Sequence, residues 1–372
     1  MKKVLFVATV VKTHINTFHL PFLKMFKENG WETAVCAKND FENPKDCVIP
    51  HCDKFFDTPF ERFPFKPNNI KAFFALRKLI KQEQYDIIHC HTPSGGVLAR
   101  LAAIGTKKKG CRVIYTAHGF HFFKGAPLLN WLIYCPIEWV CSFFTDTLIT
   151  INKEDFAFAK KHMHAKQIEY VPGVGIDIDD INAVSVDREQ KREELGIPKD
   201  SIAVLSVGEL NENKNHETVL RAIASLEKKD IVYVICGEGD KRDFLEQLAK
   251  ELNMAERLIL LGYRSDVYEI NKCCDIFAFP SLREGLPVSI MGAMAARLPC
   301  VASNIRGNND MIKENKNGFL YHSLDVSAFA SGIKMLVENK ELRSNFAIQG
   351  ESLVMPFTLN AVKEELKKVY KI

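Results

Sequence analysis

The feature that most constrains the fold is an alternation of short apolar runs with amphipathic segments, and this alternation occurs twice along the chain. The runs are continuous stretches of aliphatic and aromatic residues, as in parallel strands that are covered on both faces. Strand and helix patterns that alternate in this way predict a doubly wound α/β fold with a parallel sheet. A chain of 372 residues is long for one hydrophobic core, so the two series predict two domains.

The first series ends near residue 171. Its predicted strands are 4–10, 31–37, 85–91, 112–116, 147–151 and 167–171. Between the second and third of these strands, apolar residues recur at helical spacing over 69–83. The side chains of this helix predicted to face the core are Ile70, Phe73, Phe74, Leu76, Leu79 and Ile80.

A Pro/Gly cluster separates the two series. Residues 172–175 read Pro-Gly-Val-Gly and precede the acidic segment 177–180, a composition that is typical of a link between domains. The second series has predicted strands at 201–207, 231–236, 258–261, 275–279, 300–303 and 318–321. We therefore predict an N-terminal domain of residues 1–173 and a C-terminal domain of residues 174–355.

Composition and charge exclude several classes of protein. The chain is 47% hydrophobic and 26% charged, which is ordinary for a globular protein. A formal net charge of +4 does not favour nucleic acid as a partner, although it suits phosphorylated ligands or an anionic membrane surface. Eleven cysteines without a CxxC pair indicate reduced thiols and a cytoplasmic protein. Because no signal-peptide cleavage pattern and no run of ~18 apolar residues is present, we expect neither a leader nor a membrane-spanning helix.

Residues 127–144 are strongly apolar and allow two interpretations. The first is a buried helix, and the second is a surface that sits on a membrane. The basic segments 66–81 and 107–109 would suit an interfacial patch of the second kind, although ordinary solvated faces explain them equally well. Three phenylalanines would belong to the same patch: Phe120, Phe122 and Phe123.

A ligand site is predicted at the turn that joins the strand 275–279 to a helix of small residues. Open α/β sheets bind ligands just beyond the carboxyl ends of their strands, and a helix N-terminus offers free N–H groups to an anion. Glu284 lies in this turn, where its carboxylate can accept two hydroxyl hydrogen bonds from a sugar ring, or can simply complement the helix dipole. Ser281 and Gly285 leave the backbone exposed, which fits a small polar ligand.

Lys214 lies in the loop Gly-Glu-Leu-Asn-Glu-Asn-Lys, between the strand 201–207 and a predicted helix. A lysine in this position can bind a diphosphate as a point charge, with help from backbone N–H groups. The alternative is a solvated surface lysine. The loop is not a Walker loop, because the GxxxxGK[ST] spacing is absent.

Histidines follow the predicted strands of the first domain. His118 follows the strand 112–116, where it either hydrogen-bonds a sugar hydroxyl or reacting phosphate or has a structural role in the turn. His89 and His91 alternate on one strand and so share a face, and together with His118 or His121 they are a conceivable zinc site. No Asp or Glu stands beside these histidines to complete the residues of a metal-dependent hydrolase site. We therefore expect no metal.

Several of these segments together resemble the retaining glycosyltransferases of family 4. GLPVSIMGAMA after Glu284, the loop GELNENKN, VICGEGDK, LGYRSDV and VASNIRGN occur in the order of that family, and the resemblance covers essentially the whole chain. TAHGFHFFKG and DIIHCHTP resemble the branch that builds capsular and exopolysaccharide repeat units. The resemblance implies the GT-B fold, in which two Rossmann-like doubly wound α/β domains face each other across a cleft. It also implies that a C-terminal helix, 356–372, packs back on the first domain.

The resemblance further implies an activity. The second domain would bind a nucleotide-sugar, expected to be a UDP-sugar, and the first would bind a polyprenyl-diphosphate-linked or saccharide acceptor. A hexose or N-acetylhexosamine would move with retention of configuration and without a metal or other cofactor, while electrostatic contacts stabilise the leaving diphosphate. The protein would act in the cytoplasm, peripheral on the anionic inner-membrane surface, and would not bind nucleic acid.

The roles of family residues transfer onto individual positions of this chain. By resemblance, His118 would touch the donor sugar near the reacting carbon, Lys214 the diphosphate and Glu284 the donor sugar. The other donor-binding positions would be Gly208, Tyr263, Arg264, Arg283, Gly285, Leu286, Pro287 and Gly292. The positions on the acceptor side would be His14, His91, Phe120 and His121.

Two positions depart from the family pattern. Gly292 stands where the family carries a second glutamate for the ribose hydroxyls, and loss of that contact would cost about 1–3 kcal/mol of donor binding. Glu209 stands where many members have an arginine at the phosphate, so we expect Lys214 to act there with Arg264 or Arg283. Two alternatives stay open. One is an enzyme of the same architecture, such as a UDP-N-acetylglucosamine 2-epimerase, and the other is a non-catalytic sugar-nucleotide-binding protein, which only Gly292 favours.

Overall fold

The apolar runs of the sequence pair in parallel to form two separate sheets. The computed structural model describes residues 1–63 and 66–372 and divides them into two units. Unit 1 comprises Met1–Val174 and Val362–Ile372, and unit 2 comprises Gly175–Ala361. Each unit has one sheet and a hydrophobic core of its own.

The sheet of unit 1 has the strand order β3-β2-β1-β4-β5-β6-β7, and neighbouring strands are parallel. The strands are β1 (Lys3–Val10), β2 (Glu32–Lys38), β3 (Lys54–Asp57), β4 (Ile87–Cys90), β5 (Arg112–Ala117), β6 (Thr147–Thr150) and β7 (Gln167–Tyr170). The edge strand β3 carries only two apolar residues, Phe55 and Phe56, so no apolar run marks it in the sequence. The other six strands lie where the sequence predicts them, within two residues at either end.

Helices connect the strands of unit 1. They are α1 (Asn16–Phe18), α2 (Leu20–Glu28), α3 (Asn68–Glu83), α4 (Pro93–Ala102), α5 (Leu128–Ser142) and α6 (Lys153–His162), with a π-helical turn at Val11–Ile15 and a 3-10 turn at Pro44–Asp46. Helix α3 buries Leu76, Leu79 and Ile80 as predicted, but the side chains of Ile70 and Phe74 are exposed. These two residues belong to the i, i+4 row that continues at Lys78, and that row faces solvent rather than the core.

Most of the apolar segment 127–144 forms helix α5, and its exposure corrects the first interpretation, which was a buried helix. A buried helix is wrong for most of its length, because much of its apolar surface is exposed. The exposed side chains are Leu128, Leu129, Leu132, Trp139, Val140 and, just beyond the helix, Phe143 and Phe144. Exposure of this many large apolar side chains on one segment makes α5 a candidate interaction surface. In the described part of the chain, no helix is both long enough and apolar enough to cross a membrane.

A buried ion pair fixes the inner side of α5. Arg100 of α4 lies 2.8 Å from the carboxylate of Glu138, and the two side chains are almost fully buried. The hydroxyl of Tyr115 donates to the same carboxylate at 3.1 Å, while its ring stacks beneath the guanidinium at 3.9 Å. Loss of one member would leave the other charge buried and uncompensated, so the pair orients α5 and leaves its opposite face outward.

The sheet of unit 2 has the order β10-β9-β8-β11-β12-β13 and is also parallel between neighbours. Its strands are β8 (Ile202–Val207), β9 (Ile231–Cys236), β10 (Leu258–Gly262), β11 (Ile276–Phe279), β12 (Cys300–Ser303) and β13 (Gly318–Tyr321). Its helices are α7 (Ile178–Ala183), α8 (Arg188–Glu194), α9 (His216–Ser225), α10 (Arg242–Glu251), α11 (Val267–Cys273), α12 (Val288–Ala295), α13 (Asn308–Met311), α14 (Val326–Glu338) and α15 (Lys340–Leu353), with 3-10 turns at Ala255–Arg257 and Met355–Phe357.

The last helix, α16 (Leu359–Tyr370), anchors the C-terminus on unit 1. Tyr370 is buried, and its hydroxyl contacts Nδ1 of His89 at 2.7 Å. Arg112, at the start of β5, donates to the carbonyl of Val369 at 2.6 Å. Two parallel sheets with alternating strands and helices confirm the predicted Rossmann-like α/β fold class. All eleven cysteines are free thiols.

His216 opens α9 and is buried in unit 2. Its Nε2–H donates to the carbonyl of Glu209 at 3.2 Å, and its Nδ1 lies 3.2 Å from the hydroxyl of Tyr233. Burial, which removes water from the imidazolium form, lowers the pKa of His216 to about 4. The ring is therefore neutral in the folded protein and links the first turn of α9 to the loop that follows β8.

We predict that His216 makes the stability of the protein depend on pH. The folded pKa lies below the unfolded value, so between about pH 6.5 and pH 4 the unfolded chain binds a proton that the folded chain does not, and stability falls as pH falls. Urea unfolding of the wild type and His216→Gln tests this. The destabilisation caused by the substitution should shrink by about 2 kcal/mol between neutral pH and pH 5. An equal difference at both pH values would contradict the account.

Candidate functional site

Unit 2 has its topological switch point between β8 and β11. The chain runs from β8 to β9 on one side of the sheet, while β11 begins the other side, so the loops leaving β8 and β11 diverge. Ligands of such sheets bind at this point, beyond the carboxyl ends of the strands. The loop after β8 carries Lys214 and the loop after β11 carries Glu284, so the strand order brings these two predicted site residues together.

Lys214 and Glu284 form a direct ion pair. Nζ of Lys214 lies 2.6 Å from Oε1 of Glu284, and the side chains are only 19% and 13% exposed. The same ammonium lies 4.8 Å from the centroid of the Phe279 ring at the end of β11. A carboxylate and an aromatic face thus hold a partly desolvated cation at the switch point. Because both side chains are partly buried, water screens their charges less than those of an exposed ion pair.

The two loops are joined by hydrogen bonds. The side chain of Asn213 donates to the carbonyl of Arg283 at 3.0 Å, and the backbone N–H of Leu282 donates to the carbonyl of Asn213 at 2.8 Å. The side chain of Asn215 donates to the carbonyl of Pro280 at 3.1 Å. Because these bonds link residues about 70 positions apart, they hold Lys214 and Glu284 in one geometry.

Two glycines allow the close packing of these loops. Gly208, at the end of β8, lies against the stem of Lys214, and a Cβ there would be 3.0 Å from Cε of the lysine. Gly307 has a φ of +80°, and a Cβ there would collide with the carbonyl of Gly285. Side chains at these positions would therefore displace either the lysine or the turn that carries Glu284.

The turn after Glu284 leads into the N-terminus of α12. Leu286 and Pro287 are buried, and no side chain caps the first turn of the helix. The N–H groups of that turn have no helical partner and are available to an anion. Ser281, fully buried at the start of the turn, has a hydroxyl oxygen without a hydrogen-bond partner among the described residues. Polar groups available to a ligand thus flank the ion pair.

Gly292 is the fifth residue of α12 and is buried. A Cβ at this position would lie 3.4 Å from the ring of Tyr268 and 3.5 Å from Nδ2 of Asn271, both on α11. A side chain can therefore begin here in ordinary van der Waals contact. Asn271 has an Oδ1 that is buried without a partner among the described residues, so the surroundings of Gly292 retain unused hydrogen-bonding capacity.

The contacts of three other predicted donor residues differ from those of the ion pair. Tyr263 is 79% exposed. Arg264 pairs with Asp266 and, at 3.1 Å, with Glu194, and its hydrogen bonds hold the pKa of Asp266 well below the usual range. Arg283 is exposed, and its described contact to the other loop is made by its carbonyl oxygen. The structure therefore groups Lys214, Glu284 and Gly208 but engages Arg264 elsewhere.

Arg306 is a site residue that the sequence reasoning missed. It follows β12, is only 6% exposed, and its Nε donates to the carbonyl of Glu284 at 3.0 Å. The signal was available, since Arg306 precedes Gly307 within VASNIRGN just after the strand Cys300–Ser303. Arg306 thus adds a cationic side chain to the turn that carries Glu284.

Unit 1 has its own switch point, between β1 and β4. Four histidines lie beyond the carboxyl ends of the strands around it. His14 and His19 follow β1, His91 follows β4 and His118 follows β5. The π-helical turn Val11–Ile15 and α1 follow β1 directly and carry His14 toward the other rings. His19, fully buried, was not anticipated, although its spacing of five residues from His14 just after a strand was visible.

The four rings are in direct contact. Nε2 of His14 lies 3.2 Å from Nε2 of His19, and Nδ1 of His91 lies 3.2 Å from Nε2 of His118. The rings of His19 and His91 approach to 3.9 Å between centroids. Burial lowers the pKa of His14 to about 3 and that of His118 to about 4, and it lowers the pKa values of His19 and His91 well below the usual range. Each ring is thus neutral at ordinary pH, with a lone pair to offer.

The conceivable zinc set of His89, His91 and His118 or His121 is not the one that the structure assembles. His89 shares a face with His91, as predicted, but its two nitrogens contact Thr116 at 2.8 Å and Tyr370 at 2.7 Å. His121 lies against Tyr134, with 4.7 Å between ring centroids. Phe120, expected on the acceptor side, is buried against Phe122 in the core.

Comparison with known proteins identifies the family. Residues 187–353 match the model described as "Glycosyl transferases group 1", and residues 3–152 match "Glycosyl transferase 4-like". The putative glycosyltransferase EpsD of Bacillus subtilis (strain 168) is 38% identical over 373 residues, which is 99% of this chain and 96% of that protein.

A second relative and a solved structure agree with this assignment. The UDP-Gal:alpha-D-GlcNAc-diphosphoundecaprenol alpha-1,3-galactosyltransferase of Escherichia coli is 31% identical over 310 residues, or 81% of this chain and 79% of that one. The fold matches crystalline Anabaena Alr3699/HepE, in complex with UDP and glucose, with a TM-score of 0.82, 18% identity and complete coverage of both chains. The chain therefore belongs to the family 4 glycosyltransferases and has the GT-B fold.

Proposed function

We propose that this enzyme transfers a hexose or N-acetylhexosamine from a UDP-sugar to a polyprenyl-diphosphate-linked saccharide, with retention of anomeric configuration, in the synthesis of a surface polysaccharide. The observation that carries the proposal is the Lys214–Glu284 ion pair at the switch point of unit 2, directly before the uncapped N-terminus of α12. These groups match what a nucleotide diphosphate and a sugar ring require, which is a cation, free N–H groups and a carboxylate acceptor.

The relatives support the choice of donor. Anabaena HepE binds UDP, and the name of the Escherichia coli relative specifies a UDP-galactose donor. In this chain the ammonium of Lys214 and the N–H groups of α12 would bind the diphosphate, and the carboxylate of Glu284 would accept hydrogen bonds from the sugar hydroxyls. Arg306 would add positive charge near the same turn.

The chemistry that we propose needs no nucleophile from the protein. The bond between the anomeric carbon and the diphosphate oxygen breaks while the acceptor oxygen bonds to the same face of that carbon. The acceptor proton passes to an oxygen of the leaving UDP. Lys214 and the dipole of α12 stabilise the charge that develops on the diphosphate, which is where electrostatic preorganisation contributes most. His118 would contact the donor sugar near the reacting carbon, and the transfer step itself would use no metal.

The choice of a lipid-linked acceptor rests on two observations. The name of the Escherichia coli relative specifies a diphosphoundecaprenol-linked sugar. Helix α5 exposes Leu128, Leu129 and Leu132, with Trp139 also 44% exposed. Apolar and tryptophan side chains of this kind enter the boundary of a bilayer without crossing it. We therefore propose that α5 seats the cytoplasmic enzyme on the membrane surface where such an acceptor resides.

We predict that His118→Ala and Lys214→Ala each lower the rate of sugar transfer by at least ~100-fold, because the proposed roles are contact with the donor sugar for His118 and stabilisation of the developing charge for Lys214. The measurement is release of UDP and formation of product with purified enzyme, a panel of UDP-sugars and a lipid-linked acceptor. Lys199→Ala, which removes an exposed lysine paired with the exposed Glu189, is the matched control and should be unaffected.

The same assay separates the alternatives. Transfer to the acceptor supports the proposal, whereas conversion of the nucleotide-sugar to an epimer without an acceptor would indicate an epimerase. Binding of donor without any turnover would indicate a non-catalytic protein. Near-normal turnover of both alanine variants would refute the site assignment.

We predict that Gly292→Glu tightens the binding of UDP by about 10-fold, because a carboxylate there supplies the acceptor that ribose hydroxyls lack in this chain. Gly292→Gln is the matched control, since it has the same size without the charge and should gain less. Isothermal titration with UDP measures both. Unchanged or weaker affinity in Gly292→Glu would show that Tyr268 and Asn271 leave no productive place for the carboxylate.

We predict that Leu129→Glu combined with Leu132→Glu weakens binding to vesicles of phosphatidylglycerol and phosphatidylethanolamine by at least ~10-fold, because charged groups replace apolar ones at the proposed contact. Met335→Glu combined with Ile348→Glu, which alters two exposed apolar residues of unit 2, is the control. Vesicle sedimentation measures the bound fraction. Equal binding by the wild type and the α5 variant would contradict the role of α5.

A further inference from the structure

We propose that His14, His19, His91 and His118 form a binding site for one late first-row divalent cation, with Zn²⁺ as the expected ion. Among the described residues, each of these histidines offers one ring nitrogen such that all four nitrogens lie within 4.8 Å of one another. The proposal replaces the sequence-based expectation that the chain holds no metal.

The distances suit tetrahedral coordination. With Zn–N bonds of about 2.0–2.1 Å, two ligand nitrogens of a tetrahedral site lie about 3.3 Å apart. The contacts from His14 to His19 and from His91 to His118 are both 3.2 Å. The four nitrogens lie within 4.8 Å of one another, so the longest separations would shorten by up to about 1.5 Å when one ion binds all four rings.

Two ring nitrogens of the cluster have no hydrogen-bond partner among the described residues, and a small cavity lies against three of its rings. Nδ1 of His19 and Nε2 of His91 are buried without a hydrogen-bond partner among the described residues. A cavity of about 20 Å³ lies against His19, His91 and His118, which is room for about one water molecule or ion.

The donor set indicates which ion fits. Four imidazoles without a carboxylate among them suit Zn²⁺, Cu²⁺ or Ni²⁺ and do not suit the oxygen-seeking ions Mg²⁺ and Ca²⁺.

Surrounding residues hold the rings in place. The ring of Phe6 stacks on His91, with centroids 5.9 Å apart and planes at 14°. His89, fixed by Thr116 and Tyr370, lies 4.1 Å from His91 between ring centroids. Because packing against Phe6 and His89 holds the ring of His91 in place, we expect the site to be preformed rather than assembled by flexible loops.

The competing explanation is two hydrogen-bonded pairs of histidines, one from His14 to His19 and the other from His91 to His118. That arrangement needs no metal and also gives 3.2 Å contacts. It does not require all four side chains to act together, whereas a metal site does. The two explanations therefore differ in how substitutions of single rings affect metal binding.

Metal binding would have a consequence for transfer that rests on the proposed function. His118 is one of the four ligands, so a bound Zn²⁺ would occupy the nitrogen that the proposed mechanism directs at the donor sugar. Zn²⁺ would then inhibit transfer, and a chelator would restore it. The binding test below uses the metal alone, so it stands or falls independently of the transferase proposal.

The experiment is a titration of the purified full chain, stripped of metal, with Zn²⁺ in competition with a chromophoric chelator. We expect one tightly bound ion per chain. His14→Gln and His19→Gln should each weaken binding by at least about 10-fold, since loss of a ligand costs no less than loss of an outer-shell partner. The control is His51→Gln combined with His162→Gln, which removes two exposed histidines outside the cluster and should bind as the wild type does.

Co²⁺ gives a readout that needs no substitution. The wild type should bind Co²⁺ with the intense visible absorption of a tetrahedral site, and Zn²⁺ should displace it. His14 is only partly buried, so His14→Gln should fold. This variant tests the proposal even if substitution of the buried His19 unfolds the chain. Absence of a tight site, octahedral Co²⁺ spectra, or wild-type affinity in a folded cluster variant would each overturn the proposal in favour of hydrogen-bonded pairs.

Discussion

Parallel strand pairing is the constraint on which both candidate sites depend. It places the carboxyl ends of all the strands of a sheet at one edge, and the reversal of strand order opens a position there where neighbouring loops diverge. In unit 2 that position holds the Lys214–Glu284 ion pair, and in unit 1 it holds four histidines. The chemistry of each unit therefore follows from the order of its strands, with loops of unrelated sequence supplying the side chains.

Much of this organisation could be predicted from the sequence. Buried parallel strands are continuous apolar runs, so the positions of twelve strands and the two-sheet α/β class were accessible. Lys214 and Glu284 could be chosen because each follows such a run. Their contact could not be derived from the residues, because it depends on β8 and β11 being neighbours in the sheet although about 70 residues separate the two side chains.

Other features were hidden for identifiable physical reasons. Apolar content alone does not distinguish a buried helix from an exposed apolar one, and α5 is oriented by the pairing of Arg100 with Glu138, a long-range contact. Arg264 was expected at a phosphate, but nearby acidic side chains engage it. His19 joins the histidine cluster because a π-helical turn and α1 follow β1.

The central claim is that a nucleotide-sugar binds where the loops after β8 and β11 meet. A crystal structure of the enzyme with UDP or a UDP-sugar tests it most directly. The account predicts diphosphate oxygens within hydrogen-bond distance of Nζ of Lys214 and of the first N–H groups of α12, with sugar hydroxyls on the carboxylate of Glu284. A nucleotide bound at another edge of the sheet, or a diphosphate that contacts neither Lys214 nor α12, would contradict it.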